Sequence, residues 1–217
     1  MLVARHMTRD PVTVGQFETL AAAREKMEAG GFRRLPVVDD GRLIGMVTDR
    51  DLREHHGYLK ETKVTGAMRE DVVTVSPSAT LESATQRMIE RRVGGLPVVE
   101  EGKLVGIITV TDVLKAFLDV MGATDESTAR LDLVLQGSRH DLGEVARIIA
   151  DGGGEVLGLG THRETWDERP VFFVRLRASD PETIADALLG HGYEVLGVHR
   201  SVSKRDTAAA IPAVVVP

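Results

Sequence analysis

The segment "LPVVDDGRLIGMVTDRDL", Leu35–Leu52, contains two β-rich runs around an Asp-Gly pair and ends in a Thr three residues before an Asp. Two such runs on either side of Asp-Gly predict a β-hairpin. The segment "LPVVEEGKLVGIITVTDV", Leu96–Val113, has the same pattern with Glu-Gly at the turn. Asp51 recurs as Asp112, 61 positions later. The chain therefore contains an internal repeat.

The repeat covers residues 7–54 and 68–115, which align without a gap. In each copy a Val-Thr-Val run precedes apolar residues at the i, i+3, i+7 spacing of one helix face. Each copy thus predicts a β-α-β-β-α unit whose second helix starts near Asp51 or Asp112. A unit of about fifty residues is too small to bury its own sheet. We therefore expect the two copies to pack around a pseudo-two-fold axis.

Composition restricts the possible functions. The chain has 217 residues, 42% hydrophobic and 28% charged, which is typical of one or two globular domains. A net charge of −6 without a basic run predicts no nucleic-acid partner, and the pairs Arg33-Arg34 and Arg91-Arg92 are too short to change this. The absence of cysteine excludes disulfides and thiol catalysis. Without a leader pattern or long apolar run, we predict a cytoplasmic protein with no membrane contact.

No catalytic motif and no metal-ligand spacing stands out in the sequence. We therefore predict a protein that is not an enzyme and holds no metal or permanent cofactor.

The doubled apolar-Thr-x-x-Asp pattern after Leu-Pro-Val-Val resembles a tandem pair of CBS domains, a Bateman module, over roughly residues 1–120. We place the first repeat at residues 1–60 and the second at 61–119. The resemblance implies one cleft on each side of the pseudo-dimer that binds AMP, ADP or ATP. S-adenosylmethionine and NAD are further ligands that such modules take.

The resemblance also implies that the Thr/Asp pair of one copy faces the base-contacting stretch of the other. The Asp carboxylate would accept the ribose hydroxyls, and the Thr would reach phosphate or ribose. In the alternative interpretation each Asp only caps its helix, although both roles can coexist. The first predicted site combines Thr48, Arg50 and Asp51 with Thr74, Val93 and Gly94. The second combines Thr109, Thr111 and Asp112 with Thr13, Phe32 and Arg33.

The two predicted sites are not equivalent. Phe32 can cover an adenine face and Arg33 can meet a phosphate, whereas Val93 and Gly94 offer a smaller, neutral wall. We therefore expect the site with Asp112 to bind a phosphorylated ligand more tightly.

The C-terminal third has a different pattern. After a polar segment at 120–130, taken as a linker, it predicts a first strand at 131–137 and the order βαββαβ of the ferredoxin-like fold. Asp180 and Pro181 predict the start of the second helix. Residues 131–200 resemble an ACT domain, which implies dimerisation through sheet edges. The resemblance also implies a small effector, often an amino acid, at Asp141, Leu142 and Gly143; an empty site is the alternative.

The complete prediction is an α+β chain: a CBS pair, an ACT-like domain and a tail at 201–217. A CBS pair followed by an ACT domain resembles the AcuB-like acetoin-utilisation proteins. This predicts a homodimeric regulatory protein that senses adenosine nucleotides and acts on an unknown partner. The alternative is a structural dimerisation module that binds no nucleotide.

Overall fold

The chain folds into two compact units, residues 1–116 and 117–217. A computed structural model describes residues 1–123, 127–135, 141–163 and 170–200, except for the side chain of Asp141. The predicted tail lies outside the described residues. Both units contain helices and a β-sheet, so the α+β class is confirmed. Within the described residues, no helix is long and apolar enough to cross a membrane.

The first unit repeats one arrangement of helix, hairpin and helix, preceded by short strands in the first repeat; the predicted first strand of the second repeat is only an isolated bridge between Val75 and Val98. Its sheet joins strands of both repeats. The first repeat contains β1 (Thr8–Arg9), β2 (Val14–Gly15), α1 (Leu20–Gly30), β3 (Arg34–Asp39), β4 (Arg42–Thr48) and α2 (Asp49–Glu54). The second contains α3 (Leu81–Arg91), β5 (Gly95–Glu100), β6 (Lys103–Thr109) and α4 (Val110–Val120).

Both predicted hairpins are present. Asp40 and Gly41 between β3 and β4 have φ of 47° and 75°, and Glu101 and Gly102 between β5 and β6 have φ of 50° and 81°. Two consecutive positive φ values define the turn that Asp-Gly favours. The second helices begin at Asp49 and Val110, two residues before the predicted starts, because the preceding Thr is the cap.

Each repeat has its own apolar core. Leu20, Ala23 and Met27 of α1 pack into the first core, as their spacing predicts. The equivalent Leu81, Ala84 and Met88 of α3 pack into the second.

The segments at the start of the repeats are exchanged. β1 pairs with β6 of the second repeat, and Arg69 forms a bridge with Met46 of the first. Val3 packs into the core of the second repeat, whereas Val64 packs into the core of the first. Each repeat is therefore completed by the segment at the start of the other repeat.

This exchange explains the glycine before each Thr-x-x-Asp pattern. A Cβ at Gly45 would lie 3.0 Å from the Arg69 carbonyl oxygen, and one at Gly106 would lie 2.9 Å from the Thr8 carbonyl oxygen. Backbone atoms cannot yield as a flexible side chain can. Glycine is thus required where the segment of one repeat crosses the strand of the other.

The second unit has the predicted element order βαββαβ. Its sheet is antiparallel with the order β10-β7-β9-β8, that is, fourth, first, third and second strand. Its elements are β7 (Thr128–Val134), α5 (Asp141–Asp151), β8 (Glu155–His162), β9 (Val171–Arg177), α6 (Pro181–Gly190) and β10 (Glu194–Arg200).

Two details of this unit bear on the predictions. β7 begins three residues before the predicted strand, inside the predicted linker, because Ala129 pairs with both β9 and β10. Asp180 caps α6 as predicted: its carboxylate accepts a hydrogen bond from the Thr183 backbone N–H at 3.2 Å.

Candidate functional site

Two clefts, each of about 500 Å³, lie where the two repeats of the first unit meet. Small-molecule sites usually enclose about 300–1,000 Å³, so each is large enough for a nucleotide. We call the cleft lined by Thr48 the arginine cleft and the cleft lined by Asp112 the aspartate cleft. Arg33, Arg34 and Gly94 line both. The clefts are therefore neighbours with a common wall.

The arginine cleft contains most of the first predicted site. Thr48, Arg50, Val93 and Gly94 line it. Asp51 and Thr74 are not among its lining residues. Six of the lining residues are arginines, against two carboxylates from Asp49 and Asp71. The arginines are Arg33, Arg34, Arg50, Arg69, Arg91 and Arg92.

The aspartate cleft contains the second predicted site except for one residue. Thr109, Thr111, Asp112, Phe32 and Arg33 line it, and Thr13 does not. The backbone just before Thr13, Asp10–Val12, takes that position. Two arginines and two carboxylates line this cleft, so its formal charges balance.

In both copies the predicted base-contacting Thr lies just outside the cleft. The Thr13 carbonyl accepts a hydrogen bond from Lys26 Nζ at 3.0 Å, and the Thr74 carbonyl accepts one from Arg87 Nη1 at 3.0 Å. Residues 10–12 and 71–73 line the clefts instead. Thr13 and Thr74 thus lie one to three residues beyond the residues that line the clefts, and their part in binding stays a prediction.

The Thr-x-x-Asp pattern forms a capping box in each repeat. Asp51 Oδ2 accepts hydrogen bonds from the Thr48 backbone N–H at 2.8 Å and from its hydroxyl at 2.6 Å. Asp112 Oδ2 accepts the same two bonds from Thr109, at 2.8 and 2.6 Å. Because both hydroxyl protons are donated to a carboxylate, neither Thr can donate to a phosphate in this arrangement.

The carboxylates of Asp51 and Asp112 differ in whether the second oxygen, Oδ1, is available to a ligand. Asp51 is only 3% exposed, and its Oδ1 lies 3.5 Å from Arg69 Nε. Asp112 is half-buried, and its Oδ1 has no hydrogen-bond or ion-pair partner within the described residues. Thr8 occupies the place of Arg69 in the other copy. Asp112 alone of the two can therefore present a carboxylate oxygen to a ligand.

The charge distribution does not support the expectation that the Asp112 site binds phosphate more tightly. The Val93-Gly94 wall, expected to be neutral, is flanked by Arg91 and Arg92. Arg33, Arg34, Arg91 and Arg92 form no ion pair within the described residues. The arginine cleft is therefore the more electropositive of the two. The two Arg pairs are visible in the sequence, but only the fold brings them together.

Arg92 occupies an unfavourable backbone conformation. It caps the C-terminus of α3 with φ of 52°, whereas the equivalent residue after α1 is Gly31 with φ of 65°. The left-handed conformation costs a non-glycine residue about 1 kcal/mol. Strain of this kind is often retained at functional positions.

In the second unit, the predicted effector residues lie at the start of α5. Asp141 begins the helix, Leu142 is exposed, and Gly143 is open to solvent. Residues 136–140, the turn before them, lie outside the described residues. The effector site stays a prediction.

Comparison with known proteins identifies the first unit. The CBS domain family matches residues 3–57 and 63–119. The chain belongs to the CBS-domain family. A CBS domain-containing protein of Dictyostelium discoideum is 33% identical over 136 residues, which are 56% of this chain and 94% of that protein. An inosine-5'-monophosphate dehydrogenase of Methanocaldococcus jannaschii is 34% identical over 143 residues, but the match covers 65% of this chain and only 28% of that enzyme.

Solved structures show the same pair of repeats. A protein assigned to acetoin utilization, AcuB from Vibrio cholerae, is 36% identical with a TM-score of 0.53, covering 58% of this chain and 97% of that one. CBSX2 in complex with AMP is 30% identical with a TM-score of 0.52, covering 55% of this chain and 98% of that one.

Proposed function

We propose that this chain is a regulatory sensor whose two clefts bind adenosine nucleotides. The observation that carries the proposal is the division of binding groups between the clefts. One cleft presents an uncommitted carboxylate oxygen beside an aromatic ring, and the other presents four arginines without acidic partners. These are the groups that recognise a nucleoside and a phosphate chain.

In the aspartate cleft, Asp112 Oδ1 accepts a ribose hydroxyl while Oδ2 keeps its capping bonds to Thr109. Capping and ribose binding are thus compatible in this copy. Phe32, 43% exposed, offers a face for adenine, with Pro11 and Val12 as further apolar wall. Arg33 at the rim of the cleft is placed to meet a single phosphate. This set of groups suits AMP.

In the arginine cleft, the unpaired guanidinium groups bind phosphate oxygens in bidentate fashion. Because Asp51 is buried against Arg69, this cleft has no equivalent ribose contact from that residue. Affinity there should rise with the number of phosphates. This cleft suits ADP or ATP better than AMP.

The AMP complex of CBSX2 supports nucleotide binding by this kind of pair. A CBS pair that senses a ligand acts through another domain or protein, so we expect the output in a regulated partner. We propose no catalytic role for the chain.

We further propose that the second unit is a ferredoxin-like ACT domain that makes the protein a homodimer. Its strand order and its βαββαβ sequence support this assignment. A small effector at Asp141, Leu142 and Gly143 would then be a second input. The similarity to AcuB supports a role in acetoin utilisation. A cytoplasmic location and the identity of the partner stay predictions.

One observation favours the alternative of a structural dimerisation module. The two capping boxes give both Thr-x-x-Asp patterns a purely structural role, without any ligand.

Calorimetric titration with AMP, ADP, ATP and adenosine distinguishes the nucleotide sensor from the structural dimerisation module. The sensor predicts binding that weakens about 10-fold or more for AMP in Asp112→Asn, since a charge-assisted bond contributes about 1.5–3 kcal/mol. Asp51→Asn is the matched control, because Asp51 faces Arg69 and not the cleft; it should leave AMP affinity within about twofold. A chain that binds none of the four ligands would be the structural module.

A further inference from the structure

The two repeats have reciprocal sequences at the junction of the clefts. The first repeat has "GGFRR" at Gly30–Arg34, and the second has "RRVGG" at Arg91–Gly95, at the same place in the repeat. Arginines of one copy thus stand where the other has glycines. All four arginines line the arginine cleft, whereas only Arg33 and Arg34 line the aspartate cleft.

Arg34 lies at the common wall. A Cβ at Gly94 would lie 3.0 Å from Arg34 Nη2 and 3.7 Å from its Cζ, so the guanidinium rests directly against that glycine. Gly94 and Arg34 both line both clefts. Arg34 is half-buried and forms no ion pair within the described residues. Arg33 also lines both clefts without an ion pair, but Arg34 is the one whose guanidinium lies against Gly94 of the common wall, and its uncompensated positive charge serves two neighbouring sites.

We propose that the two clefts are negatively coupled for anionic ligands through this shared Arg34 guanidinium. The inference rests on the proposed function, namely that both clefts bind nucleotides. A phosphate chain in the arginine cleft neutralises Arg34 and brings negative charge to the common wall. A second phosphorylated ligand in the aspartate cleft then loses a cation and gains a like-charged neighbour.

The coupling is selective for charge. An uncharged nucleoside in the aspartate cleft makes its contacts through Phe32 and Asp112 and carries no phosphate for Arg34 to neutralise, so occupation of the arginine cleft leaves its affinity nearly unchanged. At saturating polyphosphate the pair therefore discriminates against AMP and in favour of uncharged adenosine compounds. When the arginine cleft is occupied, the affinity of the aspartate cleft thus depends on whether its ligand carries a phosphate.

Methyl NMR on the full chain can observe the two clefts separately. Met46 lines only the arginine cleft and Ile107 only the aspartate cleft. Pyrophosphate, which lacks a nucleoside, is added until the Met46 methyl signal stops moving. AMP or adenosine is then titrated, with the Ile107 methyl signal as the readout.

We expect pyrophosphate to weaken AMP binding at Ile107 by about 5- to 150-fold, the usual range for coupled sites, and to change adenosine binding less than twofold. The weakening should stop growing once Met46 is saturated. If pyrophosphate instead displaced AMP directly from the aspartate cleft, the apparent affinity for AMP would keep falling as the pyrophosphate concentration rose. In Arg34→Gln the weakening should shrink to under threefold. The matched variant Arg92→Gln changes only the arginine cleft. In this variant the weakening of AMP binding should persist, but higher pyrophosphate concentrations should be needed to reach it.

Three results would overturn the coupling alone: unchanged AMP affinity at saturating pyrophosphate, equal weakening of AMP and adenosine, or full weakening in Arg34→Gln. Failure of AMP and adenosine to move Ile107 would overturn nucleotide binding by the aspartate cleft as well. Failure of pyrophosphate to move Met46 would do the same for the arginine cleft.

Discussion

Replacement of Asp51 by Ala should destabilise the first unit more than replacement of Asp112, although the two residues form the same capping box. Either change removes the carboxylate half of a capping box and leaves the Thr cap in place, at a cost of about 1 kcal/mol. Asp51 is only 3% exposed, so water cannot easily take the place of its carboxylate as the partner of the Thr48 backbone N–H, although Thr48 itself is half-buried and lines the arginine cleft. A buried unsatisfied donor costs about 1–3 kcal/mol more. We therefore expect about 2–4 kcal/mol for Asp51→Ala, and about 1 kcal/mol for Asp112→Ala at its half-buried site.

Urea unfolding followed through the methyl signals of Met27 and Met88 measures this difference, because these side chains pack in the two cores of the first unit. Linear extrapolation gives the free energy of unfolding of each variant. Arg69→Thr is the matched control: it installs the residue type found at Thr8 and breaks an ion pair whose Arg side chain is 60% exposed. Because Asp51 itself is buried and keeps its two hydrogen bonds from Thr48, this control measures the cost of removing only its cation. An equal or larger cost for Asp112→Ala would refute the argument from burial.

Three further predictions concern single positions. Gly106→Ala should destabilise the first unit by roughly 1–3 kcal/mol in urea unfolding, since its Cβ would lie 2.9 Å from a backbone oxygen of the crossing segment; a neutral effect would show that β1 is not held there. Arg92→Gly should raise stability by about 1 kcal/mol by removing the left-handed strain, and should lower pyrophosphate affinity; lower stability would contradict the strain. Hydrogen bonds from the Thr183 side chain and backbone lower the pKa of Asp180 from its ordinary value of 3.8. Its stabilisation is therefore fully present above about pH 4 and is lost as the pH falls through the lowered pKa. Acid unfolding of Asp180→Asn should show a smaller loss over this range than the parent chain, and identical curves would contradict the assignment.

The repeat made much of the fold predictable. Asp-Gly and Glu-Gly fixed the hairpins because both turn positions require positive φ. The i, i+3, i+7 spacing identified the core face of α1 and α3, since one helix face is buried in each copy. The turns and the buried helix faces were predictable because residues close together in the sequence determine them.

The exchange of segments was not predictable in this way. Thr8 pairs with Ile107 and Arg69 with Met46, and both partners belong to the other copy. A repeat with two nearly equal copies offers the same apolar pattern to either partner. Sequence alone therefore does not decide which copy a segment completes.

The candidate site was predictable in part because its residues recur in the repeat. Thr48, Thr109 and Asp112 were found because they recur at a fixed spacing. The charge of the arginine cleft arises because Arg33-Arg34 and Arg91-Arg92, far apart in the chain, line the same cleft. The ion-pair partner of Asp51 is Arg69, which lies in the segment that follows the first repeat.

The exchanged segments also bear on how such a chain can arise and assemble. Because Val3 and β1 complete the second repeat, the segment that is synthesised first can make these contacts only after the second repeat has been synthesised. A backbone cut between residues 57 and 62 would leave two fragments that each hold the closing segment of the other. One copy alone could complete its sheet only by trading that segment with an identical copy. The tandem chain thus has the connectivity of an intertwined dimer whose two halves are joined covalently, and these halves differ in where they carry arginines and glycines.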